Sequence, residues 1–170
     1  MLRSQVPEGA TVLKGTWAFK IKRFPAGVVR KYKARFCARG DMQVDGVDVF
    51  ETYAPVVSWA TVWALLAFSL QHNLAMKQVD FANAFVHASL PEGEEIYVDL
   101  PATFQGVSAE GVYSKEDCVL KLDKSLYGLK VAPLLWFQEL KRALEAEGFE
   151  QSVNIEPCMF TRGDMIALVY

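Results

Sequence analysis

"TWAFKIKRFPAGVVRKYKARFCARG", residues 16–40, alternates apolar and cationic side chains on either side of Pro25-Ala26-Gly27. A period of two, interrupted by a Pro/Gly turn, predicts a β-hairpin. Trp17, Phe19 and Ile21 fall on one face of the first strand, and Lys20 and Lys22 on the other. In the second strand Tyr32, Ala34 and Phe36 oppose Lys31, Lys33 and Arg35. Each strand therefore has an apolar face and a cationic face, and successive cations on one face stand about 7 Å apart. That spacing suits a row of phosphates, and it suits solvent equally well.

The hairpin concentrates the positive charge of the chain. Met1 to Gly40 carries ten basic residues and one acid, whereas Asp41 to Tyr170 carries eight basic residues and nineteen acids. A net charge of −2 thus hides a basic lobe joined to an acidic body. Such an asymmetry points to a polyanionic partner for the lobe, or to a solvated cationic face. With 170 residues, 52% of them hydrophobic, the chain is expected to fold as one domain with its own core. No apolar run approaches the eighteen residues of a membrane span, and the N-terminus lacks a signal-peptide core, so an intracellular protein without a membrane partner is expected. Cys37, Cys118 and Cys158 are too widely spaced for a metal knuckle and are expected to be buried free thiols.

Downstream of the hairpin, residues 41–55 form a turn-rich connector containing Asp45-Gly46. Ser58 is a candidate N-cap for a helix over "WATVWALLAFSLQHN", which is apolar on all sides and expected to be mostly buried. Residues 74–81, "LAMKQVDF", are too short for a helix and read as a central strand ending at Asp80. "ANAFVHASL" then makes a short helical turn, "EEIYVDLP" a strand, and "CVLKLDKSLYGLK" a strand running into a glycine turn. A second helix follows, with Pro133 in its first turn, a Lys141/Glu145 pair and Gly148 at its end. The last residues form a hairpin around Arg162-Gly163-Asp164. The fold class is α+β, with helices packed on an antiparallel sheet.

No GxGxxG, P-loop, GxSxG or HExxH pattern is present. What remains is Asp80, a carboxylate at the end of an apolar run, followed by Phe81, Ala82, Asn83, Ala84 and Phe85. Two readings fit it. It caps the short helix that follows, which the spacing alone favours, or it meets a cation, either a Lys or Arg or a divalent metal. Trp136 and Phe137 recur at helical spacing and read as core, His87 as a hydrogen-bonded structural histidine, and Glu92, Glu94 and Glu95 as a solvated turn.

Four blocks, "FKIKRF…YKARFCARGDMQVDGVDVFETYAPVVSWATV", "MKQVDFANAFVHASLPEGEEIYVDLP", "LKLDKSLYGLKVAPLLWFQEL" and "MIALVY", resemble in order and spacing the reverse transcriptase domain of copia-type LTR retrotransposon Pol polyproteins. They cover nearly the whole chain from Thr16 onward. The resemblance implies a polymerase fingers and partial palm over residues 1–170, and RNA-directed DNA synthesis by two-metal phosphoryl transfer. It implies magnesium as cofactor, template-primer and dNTP as partners, and the remainder of a Pol polyprotein as a further partner. It places the parent protein in the cytoplasm, in a virus-like particle.

By position, Asp80 is similar to the first catalytic aspartate, which binds the metal ions, and the Phe81 backbone to the contact with the incoming triphosphate. Phe85 is similar to the aromatic gate at the sugar 2′ position, and Asn83 and Ala84 to the lining of the nucleotide pocket. Lys33 and Arg35 match the triphosphate grip, with the principal contact left open between them, and Lys31 joins them on the nucleic-acid face. Tyr127, Gly128 and Lys130 match the segment that supports the templating base and the nucleotide. Family members pair the first aspartate with an Asp-Asp dipeptide after a Tyr-Val in a late hairpin. Tyr170 resembles that tyrosine, and no Asp-Asp occurs in these residues. The expectation is a domain cut before its catalytic Asp-Asp hairpin, inactive as it stands, with a noncatalytic nucleic-acid-binding remnant as the alternative. Cys37, Val49, Trp63, Val131 and Leu134 also depart from the family pattern, mostly by replacing polar with apolar side chains.

Overall fold

A computed structural model describes residues 1–102, 104, 106–108, 111–114 and 116–170. It is mixed α/β, with short sheets and two α-helices among the described residues. In chain order the elements are β1 (Val12–Leu13), β2 (Gly15–Arg23), β3 (Val29–Ala38), α1 (Trp59–Gln71), β4 (Tyr97–Asp99), β5 (Gly106–Ser108), β6 (Gly111–Tyr113), β7 (Val119–Lys121), α2 (Ala132–Ala146), β8 (Glu150–Gln151), β9 (Met159–Arg162) and β10 (Met165–Leu168).

The basic hairpin forms as its alternation requires. β2 and β3 pair antiparallel with Trp17 opposite Phe36, Phe19 opposite Ala34 and Ile21 opposite Tyr32, so the apolar residues share one face. On the other face Lys20 stands opposite Lys33 and Lys22 opposite Lys31. Phe36 lays its ring over Gly15, where a side chain would have no room. The hairpin projects from the body, leaving Phe19 76% and Tyr32 73% exposed.

Two apolar clusters form the interior. Leu13, Val98, Ala88, Val131 and Leu135 belong to the first, which packs β1, β4 and the start of α2 together. Val57, Phe137, Cys158 and Phe160 form the second, between α2, α1 and the β9–β10 hairpin. α2 serves both, because Leu135 and Phe137 point to opposite sides of its first turns. Its sequence specifies its length: Pro133 occupies the first turn, and Gly148, at φ +81°, ends it in the left-handed conformation. The Lys141–Glu145 pair lies 3.7 Å apart, as the i, i+4 spacing anticipates. No helix among the described residues is long and apolar enough to cross a membrane.

Four expectations require correction. Residues 74–81 are extended but form no strand, because no ladder partner runs alongside them; Leu74, Met76, Val79 and Phe81 are exposed. Apolar content makes a segment strand-like, whereas pairing makes it a strand. α1 begins after the Ser58 cap as expected, with Ser58 Oγ accepting from Thr61 N–H, yet Ser69 is its only buried residue. Only one side of the helix finds a neighbour. The sheet is not a single antiparallel one: β1-β4-β7, β10-β9-β8 and the β2-β3 and β5-β6 pairs are separate, and β1 runs parallel to β4. Finally, Cys158 is buried, but Cys37 and Cys118 are only half-buried.

Candidate functional site

The base of the hairpin is locked to the 125–130 loop by backbone hydrogen bonds. Ala38 N–H donates to Tyr127 O at 2.7 Å and Gly40 N–H to Gly128 O at 3.1 Å. This approach requires two glycines. A Cβ on Gly40 would stand 2.1 Å from Gly128 O, and one on Gly128, which has φ +90°, would stand 2.1 Å from Ala38 O. Any side chain at either position forces the two segments apart.

The lock presents the cationic face of β3 to the loop. The Arg35 guanidinium lies over the Tyr127 ring, 5.0 Å from its centroid. Phe85 meets the same ring edge-on at 5.3 Å. Arg35, Tyr127 and Phe85, drawn from three separate blocks of sequence, thus form one stack. Arg35 Nε is enclosed without a hydrogen-bond partner. An enclosed guanidinium nitrogen without an acceptor is a costly arrangement and invites an anion.

Phe85 is held by the turn that follows Asp80. Asn83 adopts a left-handed conformation, φ 55° and ψ 42°, and a 3-10 turn runs from Ala84 to His87. Asn83, not Asp80, occupies the N-cap position, and its side chain makes no capping bond. The helix-capping reading of Asp80 therefore fails. The His87 ring meets Ala82 O at 3.0 Å through Nε2, and the Trp136 ring sits edge-on to Phe81 at 5.2 Å. Trp136 is therefore only partly core; it also braces the aspartate loop. Ser125 N–H donates to Ala88 O at 2.8 Å, tying this loop to the Tyr127 segment.

Asp80 itself is exposed and accepts no hydrogen bond among the described residues. It is nevertheless close enough to act on Lys33. Partial burial, followed by the charges of Arg35, Lys22 and Lys31, lowers the Lys33 ammonium below the ordinary lysine value, and Asp80 opposes that shift. Lys31 lies further out on the same face, opposite Lys22.

Lys130 is placed differently from the other site residues. Its Nζ donates to Gln43 O at 3.0 Å and pairs with Asp45 at 2.6 Å, while its backbone N–H donates to Gln43 Oε1 at 3.0 Å. It fastens the 41–55 connector instead of pointing to the Arg35 stack. Gln43, buried, is a functional-scale anchor that sequence reasoning missed; no local pattern marks a glutamine whose partners lie 87 residues away. Of the departures from the family pattern, Val49 and Val131 are buried in the first cluster, which accounts for their apolar character, whereas Trp63 is exposed.

Among the described residues no three His, Cys, Asp or Glu side chains converge. The one notable cavity, about 480 Å³, lies at the opposite end of the chain's charge pattern, lined by Arg3, Lys14, Asp99 and Leu100 among others. Arg3 already pairs there with Asp99, so it adds nothing to the site around Asp80.

Comparison with known proteins agrees with this arrangement. Residues 3–170 match the family described as reverse transcriptase (RNA-dependent DNA polymerase). The retrovirus-related Pol polyprotein from transposon TNT 1-94 of Nicotiana tabacum is 33% identical over 156 residues, 92% of this chain and 11% of that protein. The corresponding polyprotein from transposon RE2 of Arabidopsis thaliana is 32% identical over 148 residues, 87% of this chain and 10% of its own length. The transposon Ty1-ER2 Gag-Pol polyprotein of Saccharomyces cerevisiae is 29% identical over 144 residues, 82% of this chain and 7% of its own. No solved structure matches. The chain thus spans about a tenth of the length of the first two of these relatives. With a family match running through the hairpin, the Asp80 loop and the Tyr127 segment alike, the chain belongs to the reverse transcriptase (RNA-dependent DNA polymerase) family.

Proposed function

We propose that this chain supplies the nucleotide-holding and nucleic-acid-holding part, fingers and partial palm, of a retrotransposon RNA-directed DNA polymerase. The observation that carries the reading is the Arg35–Tyr127–Phe85 stack, with its enclosed and unpartnered Arg35 Nε, beside the Asp80–Lys33 neighbourhood. Arg35 and Lys33 receive the triphosphate, and the Phe81 backbone, Asn83 and Ala84 line the nucleotide's path. Phe85 packs against the sugar. Tyr127 and Gly128 support the base, with Lys130 holding their loop through Gln43 and Asp45. Lys31 extends the cationic row along the template-primer. The partners are therefore template-primer, dNTP and the remainder of a Pol polyprotein.

Magnesium is the cofactor this activity implies. Asp80 suits one ligand position, but a lone carboxylate does not fit a two-magnesium centre, and no further acid joins it among the described residues. No transfer step is therefore assigned to these residues alone. The paired lysines Lys20/Lys33 and Lys22/Lys31 favour a second reading, a noncatalytic nucleic-acid-binding module, since such pairs repel unless a polyanion lies on them.

Fluorescence anisotropy with a labelled RNA–DNA template-primer tests the shared part of both readings. Affinity should fall steeply with salt, and replacing Lys31, Lys33 and Arg35 with alanine should reduce the salt slope by roughly three. A salt-independent affinity refutes the cationic-face assignment. Competition by dNTP that depends on Arg35 and Phe85 separates the polymerase reading from simple nucleic-acid binding; a dNTP-insensitive complex leaves the second reading. Primer extension with magnesium should yield no product, and template-dependent incorporation overturns the assignment of binding alone.

A further inference from the structure

We propose that α1 is a self-association surface, through which two copies of this chain pair helix against helix in antiparallel fashion. Trp59–Gln71 contains no charged residue, yet its outer side faces solvent, with Trp63 65% and Leu70 79% exposed. Ala60, Trp63, Ala67 and Leu70 are all exposed and follow the three-four-three spacing of a helix-packing seam. Small and large side chains alternate along it.

That alternation is self-complementary. About a two-fold axis at Leu65, antiparallel pairing sets residue i of one copy against residue 130 − i of the other. Leu70 then covers Ala60 of the second copy, and Trp63 covers its Ala67. Every large side chain meets an alanine, and each contact occurs twice, as an isologous interface demands. The alanines permit interaxial separation near the short end of the usual range, about 8 Å. No like charge opposes itself across the axis. A membrane surface is a poorer occupant, because the helix lacks the Lys and Arg of an interfacial amphipathic helix.

The surface area of the protein calls for such a partner. A folded monomer of 19.0 kDa should expose about 8,400 Å². This chain exposes 12109 Å², about 3,700 Å² more. A stable pairing needs about 800 Å² from each copy, a fraction of that excess. The exposed Leu74 and Met76, directly after the helix, extend the patch that pairing can cover.

The test is the mass of the nucleic-acid-free 170-residue chain by sedimentation equilibrium in high salt. A monomer–dimer equilibrium with Kd on the order of 10 μM or tighter is expected. Ala67→Trp places two indoles against each other and should weaken the dimer at least tenfold, although it adds apolar surface. The double variant W63A/A67W restores a large–small pair at each contact and should recover dimerisation to within a few-fold. Circular dichroism of each variant should match the parent, since all the altered side chains are exposed. A monomer at all concentrations, open-ended oligomers, or tighter association of A67W would overturn the proposal. Failure of the double variant to recover would overturn the antiparallel register.

Discussion

Replacing Glu156 should uncouple the β9–β10 hairpin from α1, at a cost that its hydrogen bonds allow one to estimate. Glu156 is a buried carboxylate, 7% exposed, at the N-terminus of α1. Its Oε2 accepts from Ser58 N–H at 3.3 Å and from the Thr61 hydroxyl at 2.9 Å, and its Oε1 accepts from Cys158 N–H at 3.2 Å. Hydrogen bonds to a charged group contribute about 1.5–3 kcal/mol each and are not additive, so Glu156→Ala should cost about 3 kcal/mol. Glu156→Gln keeps the shape but turns one acceptor into a donor facing donors, and about half that cost is expected. Burial pushes the Glu156 carboxyl up, but the bonds from Thr61, Cys158 and Ser58 outweigh it and hold the carboxyl below its ordinary value of 4.5. With the folded value depressed, the stabilisation is present above about 4.5 and is lost as pH falls through the folded value. Urea unfolding followed by tryptophan fluorescence, repeated between neutral pH and pH ~3, measures both effects. A loss below about 1 kcal/mol in E156A, or an unchanged acid dependence in E156Q, would refute the reasoning.

Three further outcomes are expected. Gly128→Ala combines a positive φ with a Cβ 2.1 Å from Ala38 O, and should cost about 3 kcal/mol in a urea titration, whereas Gly9→Ala, with φ +84° but open space around it, should cost only about 1. Lys20→Glu replaces a repelling cross-strand pair with an attractive one; it should stabilise the hairpin by up to about 1 kcal/mol in a melting experiment while weakening template-primer binding. Burial, with the Glu156 charge beside it, pushes the Cys158 thiol up to about 11, so it should resist iodoacetamide at neutral pH in the native protein and react only on unfolding, while the half-buried Cys37 and Cys118 react first, as read by mass spectrometry.

Local chemistry made much of this fold legible. The alternation around Pro25-Ala26-Gly27, the Ser58 cap, the Pro133-to-Gly148 helix and the Gly163 turn each depend on neighbours within a few residues, and each appears where the pattern puts it. The failures share a cause of the opposite kind. Whether residues 74–81 pair, and which side of α1 is covered, depend on segments far away in the chain. The site divides in the same way. Lys33, Arg35, Phe85 and Tyr127 were recognisable as residues, but only folding brings the last three into one stack. Gln43 and Glu156 escaped notice because a buried polar anchor has no sequence period; its partners lie 87 and up to 98 residues distant. Glycine offered the one missed clue, since Gly40 and Gly128 each close a block that the resemblance had already marked.

The β2–β3 hairpin is fastened at one end only. Ala38, Arg39 and Gly40 are hydrogen-bonded to the body, whereas both strands near Pro25-Ala26-Gly27 are in solvent. Mechanically it is a cantilever with Arg35 near the clamp and Lys31 about 13 Å further along the beam. Any bending sweeps Lys31 through a wide arc while Arg35 scarcely shifts. The outer lysines can therefore search a volume for a passing phosphate chain, and the inner arginine, braced on Tyr127, sets the point at which its end comes to rest.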